Sequence, residues 1–366
     1  MSCIDSLATP LKKTRHQLLY LIYGNQDVYR REAKFSILTA LSQAKTGKLP
    51  AIRILTDRPQ DYAGWPVDTV LLDEPTLTRW QGQNGYHHRR KACAIAAGLQ
   101  LAEKTLFVDT DTLFTSDPNS LFRSITDEQA VMDRFEYDWK DVYERPDYLK
   151  LARDLRAHGV TPDNGFKLYN SGLCGITDRD GELLAESIRL IDEWTLGGFE
   201  IHTIEQIALS FAMRRRPVVE ARKHVYHYFA EKRFFHAMQG FFFSQHGEQF
   251  SQRLVDLCQD VPRVKPFPSA WQRLKIKWKL RHQSGALRKV GRDLLYGSAA
   301  PEHPYYSACR HEWWECASRE ILRWDESRQK KLLEQQRWPQ QLPRPDKPED
   351  ERLIMNYLKK RVNAAR

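Results

Sequence analysis

Short apolar runs alternate with amphipathic stretches through the first half of the chain. Apolar runs closed by Gly, Pro or Asp predict buried strands at residues 18–23, 51–55, 67–72 and 105–109. Residues 28–44 and 87–103 have helical periodicity instead, and the Ala side chains of the second stretch would let a helix lie close to a sheet. This order predicts an α/β domain whose mixed, mostly parallel sheet has helices on both faces.

The pattern changes twice further along the chain. Residues 134–165 are polar, aromatic and weakly patterned, which indicates an insertion over the site. Beyond them the sequence predicts a strand containing a turn at 167–176, helices at 181–194 and 203–213, and a last strand at 217–220. After about residue 262 Pro, Trp and basic residues precede polar helical stretches. We therefore expect an N-terminal tail over 1–15, a catalytic domain over 16–262 and a mostly helical extension over 263–366.

Composition restricts the class of protein. The 366 residues are 41% hydrophobic and 28% charged, as in ordinary globular proteins. No apolar run approaches the ~20 residues that a membrane-spanning helix needs, and the N-terminus lacks the basic-then-apolar layout of a secretory signal. The six cysteines form no C-x-x-C pair, so we expect unpaired thiols in a cytoplasmic protein.

The net charge of +10 is concentrated in one segment. Residues 263–292 contain ten Lys or Arg and no Asp or Glu, and the rest of the chain has no net charge. Within this segment, residues 274–281 alternate apolar and basic, which on periodicity alone favours an edge strand. On a helix, Trp271, Leu274 and Trp278 would share one side, a composition that suits an anionic membrane surface. A polyanion patch and a solvated basic face are the alternatives.

Asp109 and Asp111 are the strongest candidates for chemistry. Asp109 ends the run of 105–109 and Asp111 follows it, so two carboxylates fall on one short loop where the fourth strand ends. Ligands of open α/β sheets bind at the carboxyl ends of the strands, where Asn25 and Asp57 would also emerge. Hard oxygen ligands suit Mg2+ or Mn2+, and such an ion neutralises the charge of a diphosphate leaving group.

Four segments, in order, resemble the GT-A glycosyltransferases, especially the family of glycogenin and the lipopolysaccharide galactosyltransferases. Lys104–Phe114 resembles that family's D-x-D strand, and Asn25–Tyr29 resembles the loop that holds the nucleotide base. Tyr169–Gly172 resembles the F-N-S-G turn beside the sugar. His227–Phe235 has the spacing of the H-x-x-G-x-x-K-P-W element, with Ala230, Arg233 and Phe234-Phe235 as departures. The resemblance spans about residues 15 to 236.

The resemblance implies a role for each matching residue. Asp109, Asp111 and His227 would bind Mn2+ or Mg2+. Asn25, Tyr29, Arg90 or Lys91, and Lys232 or Arg233 would hold a nucleotide-sugar donor, with UDP as the expected nucleotide. Asp57 is outside the matching segments and joins this donor group because it follows a neighbouring strand. Asn170, Glu205 and Gln206 would face the donor sugar or the acceptor.

Each role has a structural alternative. His227 among aromatic neighbours could be a half-buried packing residue, and Tyr29 could be a core aromatic. Glu205 and Gln206 could form a surface pair on a helix, and Asn170-Ser171-Gly172 could be turn chemistry alone.

The sequence therefore predicts a metal-dependent glycosyltransferase, of hexosyltransferase type, that acts on a glycan or lipid-linked acceptor. A haloacid-dehalogenase-type phosphatase also uses two aspartates after a strand. Its pattern is D-x-D-G-T on the first strand, whereas here Thr112-Leu113 follow the second aspartate. The remaining alternative is an inactive GT-A-like module that binds an anionic membrane or polyanion through residues 263–292. Nucleic acid is not an expected partner.

Overall fold

The computed structural model describes residues 11–45, 49–161, 165–198, 201–299, 303–333 and 338–364. They group into two compact units, one of Met1–Phe229 with Glu248–Gln259 and one of Ala230–Gly247 with Asp260–Arg366. Residues 230–247 thus group with the C-terminal helices, although the predicted catalytic domain, 16–262, includes them. Most of the predicted tail, 1–15, and Cys3 lie outside the described residues, while the first strand begins at Thr14.

The strands are β1 Thr14–Ile22, β2 Ala51–Thr56, β3 Asp68–Leu71, β4 Ala102–Val108, β5 Thr112–Phe114, β6 Ala130–Asp138, β7 Lys167–Thr177, β8 Val218–Glu220 and β9 Val225–His227. The α-helices are α1 Asp27–Gln43, α2 Glu74–Gln81, α3 Arg89–Gly98, α4 Asn119–Phe122, α5 Leu149–Ala157, α6 Gly181–Trp194, α7 Ile204–Ala212, α8 Lys232–His246, α9 Gln252–Leu257, α10 Ala270–Lys279, α11 Gly285–Ser298, α12 Pro304–Ala308, α13 Arg310–Ile321, α14 Glu326–Leu333 and α15 Pro348–Asn363.

The first unit is built on a seven-stranded sheet with the order β3-β2-β1-β4-β7-β6-β8. Strands β3, β2, β1 and β4 run parallel, β7 is antiparallel to β4 and β6, and β8 is parallel to β6. Strands β5 and β9 form a separate antiparallel pair. The predicted α/β class, a mixed and mostly parallel sheet followed by a helical C-terminal region, is confirmed.

Small side chains bring α3 close to the sheet. Its residues Cys93, Ala94 and Ile95 are fully buried, and they share a core cluster with Leu19 of β1 and Phe107 of β4. A Cβ atom added to Gly98 would lie 2.4 Å from Leu19 Cδ2. The predicted close approach of this helix therefore occurs, although the helix is shorter than 87–103 because β4 begins at Ala102.

The polar stretch 134–165 contains structure that its weak pattern did not reveal. Strand β6 covers Ala130–Asp138, and its first four residues are buried before alternation begins. Helix α5 follows over Leu149–Ala157. The turn expected within 167–176 is wrong, because β7 is a continuous strand paired with both β4 and β6.

Helices form the second unit around a core that includes Leu294, Trp314 and Ile354. Helix α8 packs against α13 of the same unit through Phe234, whose ring centroid lies 4.8 Å from that of Trp313. No strand forms at 274–281, so the edge strand favoured by periodicity alone is wrong. Ser269 and Gln272 start helix α10 with a capping box, in which each side chain hydrogen-bonds the other residue's backbone N–H.

The five described cysteines, Cys93, Cys174, Cys258, Cys309 and Cys316, are free thiols, as the sequence predicts. Along the described residues, no helix combines the length and the apolar character that a membrane crossing requires.

Candidate metal centre

Asp109, Asp111 and His227 come together in the first unit. Asp109 and Asp111 follow β4, and β5 leads from them into an antiparallel pairing that sets Thr112 opposite His227. One potential ligand atom from each of the three residues lies within 4.8 Å of the other two. His227 is more than 100 residues from both aspartates in the sequence. The pairing of β5 with β9 is therefore what brings it to them.

A second aspartate holds the His227 ring. Asp133 Oδ2 lies 2.7 Å from Nδ1 of His227, and Asp111 Oδ2 lies 3.2 Å from Nε2. Burial opposes a charged imidazole, but the hydrogen bonds with Asp111 and Asp133 outweigh it and raise the pKa of His227 to about 9. Without a metal the ring is therefore a cation between two carboxylates, and it is more than a half-buried packing residue.

Gly172 of β7 leaves the space that His227 occupies. A Cβ at Gly172 would lie 2.2 Å from both Cε1 and Nδ1 of the imidazole. Gly172 also accepts a hydrogen bond from the Asp109 backbone N–H at 2.8 Å, so the same glycine fixes the start of the aspartate loop. The loop is further tied to α1 by a 2.7 Å hydrogen bond from Thr110 to Glu32.

Lys91 supplies the positive charge beside Asp109. Its Nζ lies 2.8 Å from Asp109 Oδ2 and 3.8 Å from Glu205 Oε1. Burial lowers the pKa of Lys91, but the charges of Asp109 and Glu205 outweigh that effect and raise it. Burial also raises the pKa of the Asp109 carboxyl, against the opposing influence of Lys91.

Arg90, the other member of the predicted pair, has structural partners. Its Nε donates to Leu77 O at 2.9 Å, and a terminal nitrogen donates to Gln81 Oε1 at 2.8 Å. Its guanidinium lies 4.6 Å from the centre of the Tyr23 ring. Of the two residues, Lys91 is therefore the one at the carboxylate cluster.

Asn170, Glu205 and Gln206 belong to one hydrogen-bond network that is buried at Glu205 and Gln206 and partly buried at Asn170. Glu205 and Gln206 are 3% and 6% exposed, so the alternative of a surface pair is wrong. Glu205 accepts from Tyr86 at 2.7 Å and from the Ser171 hydroxyl at 3.1 Å. Glu136, which sequence reasoning missed, accepts from the side-chain amides of Asn170 at 2.8 Å and Gln206 at 2.7 Å.

Asn25 and Asp57 lie together where β1 and β2 end. Asp57 Oδ2 accepts from the Gly24 backbone N–H at 2.9 Å, and Arg58 donates to Asn25 Oδ1 at 2.5 Å. Tyr29, in the first turns of α1, is 38% exposed, so the alternative of a core aromatic is wrong. A donor role for this group stays a prediction.

Lys232 and Arg233 belong to the second unit, at the start of α8. Arg233 lies 3.6 Å from Glu315 within that unit. Their predicted contact with a donor diphosphate stays a prediction.

The donor set fits a divalent cation. Two carboxylates and an imidazole are ligands that Mn2+ accepts, and Asp133 provides the carboxylate partner that metal-bound histidines usually have on their other nitrogen. Asp133 directly follows the apolar run Ala130-Val-Met132, which is buried in the structure. A carboxylate at the end of an apolar run is the sequence signal that points to it.

Comparisons with known proteins leave the family open. No family model and no curated protein matches the chain. Among solved structures, apo mouse xyloside xylosyltransferase 1 matches with a TM-score of 0.38 and 13% identity over 57% of this chain and 84% of that one. The apo structure of the bifunctional glycosyltransferase WbbM matches with 0.37 and 13%, over 58% of this chain and 39% of that one. The glycosyltransferase GlyE of Streptococcus pneumoniae TIGR4 matches with 0.34 and 13%, over 68% and 52%. The chain thus spans about half or less of the last two, and the function has to be argued from the side chains of the site.

Proposed function

We propose that this protein is a metal-dependent glycosyltransferase that moves a sugar from a nucleotide diphosphate donor to an acceptor. The observation that carries the proposal is the Asp109–Asp111–His227 cluster at the end of a central strand, with ligand atoms within 4.8 Å of one another. Carboxylates at this edge of an α/β sheet are suited to a metal-bound phosphate ligand.

We assign the ion as Mn2+ or Mg2+, held by those three residues. When bound, the ion supplies positive charge to the diphosphate as the bond to the sugar breaks. Asp133 fixes the His227 ring so that Nε2 faces Asp111. Lys91 pairs with Asp109 and adds a second positive charge beside the cluster.

The donor assignment extends the proposal to the neighbouring strand ends. Asn25, Asp57 and the exposed ring of Tyr29 are proposed to hold the base and ribose of a UDP-sugar. Asn170, Glu205 and Gln206 are proposed to face the sugar or the acceptor, because the network fixes their orientation.

We propose a hexosyl donor, a glycan or lipid-linked acceptor such as a surface polysaccharide precursor, and a cytoplasmic location. The donor and acceptor assignments rest on the motif resemblance to the glycogenin and lipopolysaccharide galactosyltransferase family. The proposed location agrees with the free thiols of the five described cysteines. Each of these assignments is more specific than the transfer reaction, and each can be wrong while the proposed reaction is right.

The test is hydrolysis of a panel of sugar nucleotides, including UDP-hexoses, with Mn2+, with Mg2+ and with a chelator. We expect turnover of one donor class that depends on the metal, and a loss of at least a hundredfold in Asp111→Ala. No turnover of any donor, with nucleotide binding undiminished in Asp111→Ala, would overturn the catalytic assignment. A thermal shift by UDP and Mn2+ without hydrolysis would favour the inactive binding module.

A further inference from the structure

Three large apolar side chains stand exposed on one face of α10. Trp271 is 73% exposed, Leu274 58% and Trp278 63%. Spacings of three and four residues place them on the same side of the helix. The opposite face is the one that packs, since Ile276 and Leu280 cluster with Leu295 of α11. Single exposed apolar residues are ordinary on protein surfaces, but a contiguous stripe of two tryptophans and a leucine indicates an interaction site.

Basic residues border this stripe on both sides. Helical geometry places Lys277 along one edge and Lys275 along the other, and Arg281 follows the helix, which ends at Lys279. The Arg281 guanidinium lies 3.8 Å from the centre of the Trp278 ring. Asp346 pairs with Lys275 and Lys279, at 2.9 and 2.8 Å, so the edge with Lys277 is the more strongly positive one. The surface therefore combines tryptophan with positive charge.

We propose that α10 docks in the plane of an anionic lipid bilayer, with Trp271, Leu274 and Trp278 inserted at the headgroup boundary. The basic residues around them would meet the lipid phosphates. Ten residues give a helix about 15 Å long, which is suited to lying along a membrane surface. The inference does not depend on the proposed transfer reaction.

The charges favour this occupant over the alternatives. A second copy of the chain docked through the same face would bring two basic edges together, which is repulsive. A nucleic acid would satisfy the basic residues but would give no apolar environment to the two tryptophans and the leucine. An anionic bilayer satisfies both parts of the surface.

The test is co-sedimentation of the full chain with vesicles of phosphatidylcholine alone and vesicles that also contain phosphatidylglycerol. We expect at least tenfold stronger partitioning onto the anionic vesicles, because each basic residue near such a surface contributes on the order of 1 kcal/mol. Trp271→Ser/Leu274→Ser/Trp278→Ser should lower that partitioning at least tenfold. Lys277→Glu/Arg281→Glu should remove most of the preference for anionic lipid.

A matched control replaces leucines that are exposed elsewhere, Leu149→Ser/Leu196→Ser/Leu353→Ser, at 52%, 67% and 45% exposure. It should bind like the wild type, and thermal unfolding should confirm that all variants fold. Quenching of tryptophan fluorescence by brominated lipid should fall in the α10 triple variant. Equal vesicle binding by the wild type and the triple variant would overturn the proposal. So would binding of the wild type to double-stranded DNA in the absence of vesicle binding.

Discussion

Nδ1 of His227 lies 2.7 Å from Oδ2 of Asp133, although the two residues are 94 positions apart and belong to different strands. Asp133 is 1% exposed, so its carboxylate has little solvent to stabilise its charge. The imidazole is therefore the main partner of this buried charge, and the pair fixes which ring nitrogen faces Asp111.

Asp133→Asn should weaken Mn2+ binding by about tenfold, the lower end of the 10–100-fold effect of such supporting residues. Asparagine keeps the shape and an acceptor oxygen but removes the charge that makes the imidazole a stronger ligand. Isothermal titration with Mn2+ measures the change. Asp127→Asn, at an exposed aspartate that pairs with Arg179, is the control and should bind Mn2+ normally. An unchanged affinity in Asp133→Asn would show that the carboxylate does not support the metal site.

Gly172→Ala should displace the His227 ring, because the new Cβ would lie 2.2 Å from it. We expect a loss of about 1 to 3 kcal/mol in the free energy of unfolding and at least a tenfold loss of Mn2+ affinity. Urea unfolding and metal titration measure the two effects.

Gly181→Ala is the matched control for this substitution, since a Cβ there meets nothing within 4 Å. It should leave both quantities nearly unchanged. Normal metal binding by Gly172→Ala would mean that the ring can move without loss of the site.

The aspartates were predictable from the sequence because both the strand and the motif are local. Four apolar or small residues, Thr105–Val108, lead into Asp109, and the alternation of strands with helices predicts the parallel strand order. His227 was found through the resemblance alone. Its partner Asp133 was missed. The apolar run Ala130–Met132 indicates the strand that Asp133 belongs to, but no local pattern connects that strand with His227, 94 positions further on.

Helix α10 is a case in which a local sequence pattern predicted the wrong secondary structure. Its alternation of apolar and basic residues favours a strand. In the helix that forms, the alternating apolar residues point to different sides, with Leu274 and Trp278 exposed and Ile276 buried. The capping box of Ser269 and Gln272 is a local signal for the helix, and Ile276 supplies the buried contact that alternation hides.

Lys91→Met should destabilise the metal-free protein by about 2 kcal/mol, because Asp109 and Glu205 lose a shared cation. We expect less than the cost of breaking a fully buried pair, since the Asp109 side chain is 25% exposed. Mn2+ should stabilise this variant more than it stabilises the wild type, as the ion replaces the missing charge. Thermal unfolding with and without Mn2+ measures both effects.

Lys277→Met, at an exposed lysine of α10, is the control and should match the wild type in stability. If Mn2+ stabilised Lys91→Met and the wild type equally, the idea that Lys91 and the ion both neutralise Asp109 would be contradicted.

The charge of His227 links the stability of the metal-free protein to pH. Its pKa is about 9 in the folded protein, where burial is outweighed by the hydrogen bonds with Asp111 and Asp133, and the ordinary value is 6.5. The folded state therefore binds the proton more tightly than the unfolded state. This contribution is fully present below about pH 6.5 and is lost as the pH rises through about 9, and it amounts to on the order of 3 kcal/mol.

Urea unfolding in a chelator, at pH values on both sides of this window, should show the wild type losing stability relative to His227→Gln. The glutamine variant has no proton to lose at this position, so the difference between the two proteins isolates the histidine. Mn2+ affinity should follow the opposite trend and strengthen as the pH rises, because coordination requires the unprotonated ring. A parallel pH dependence of the wild type and His227→Gln would mean that the imidazole is uncharged between its two aspartates.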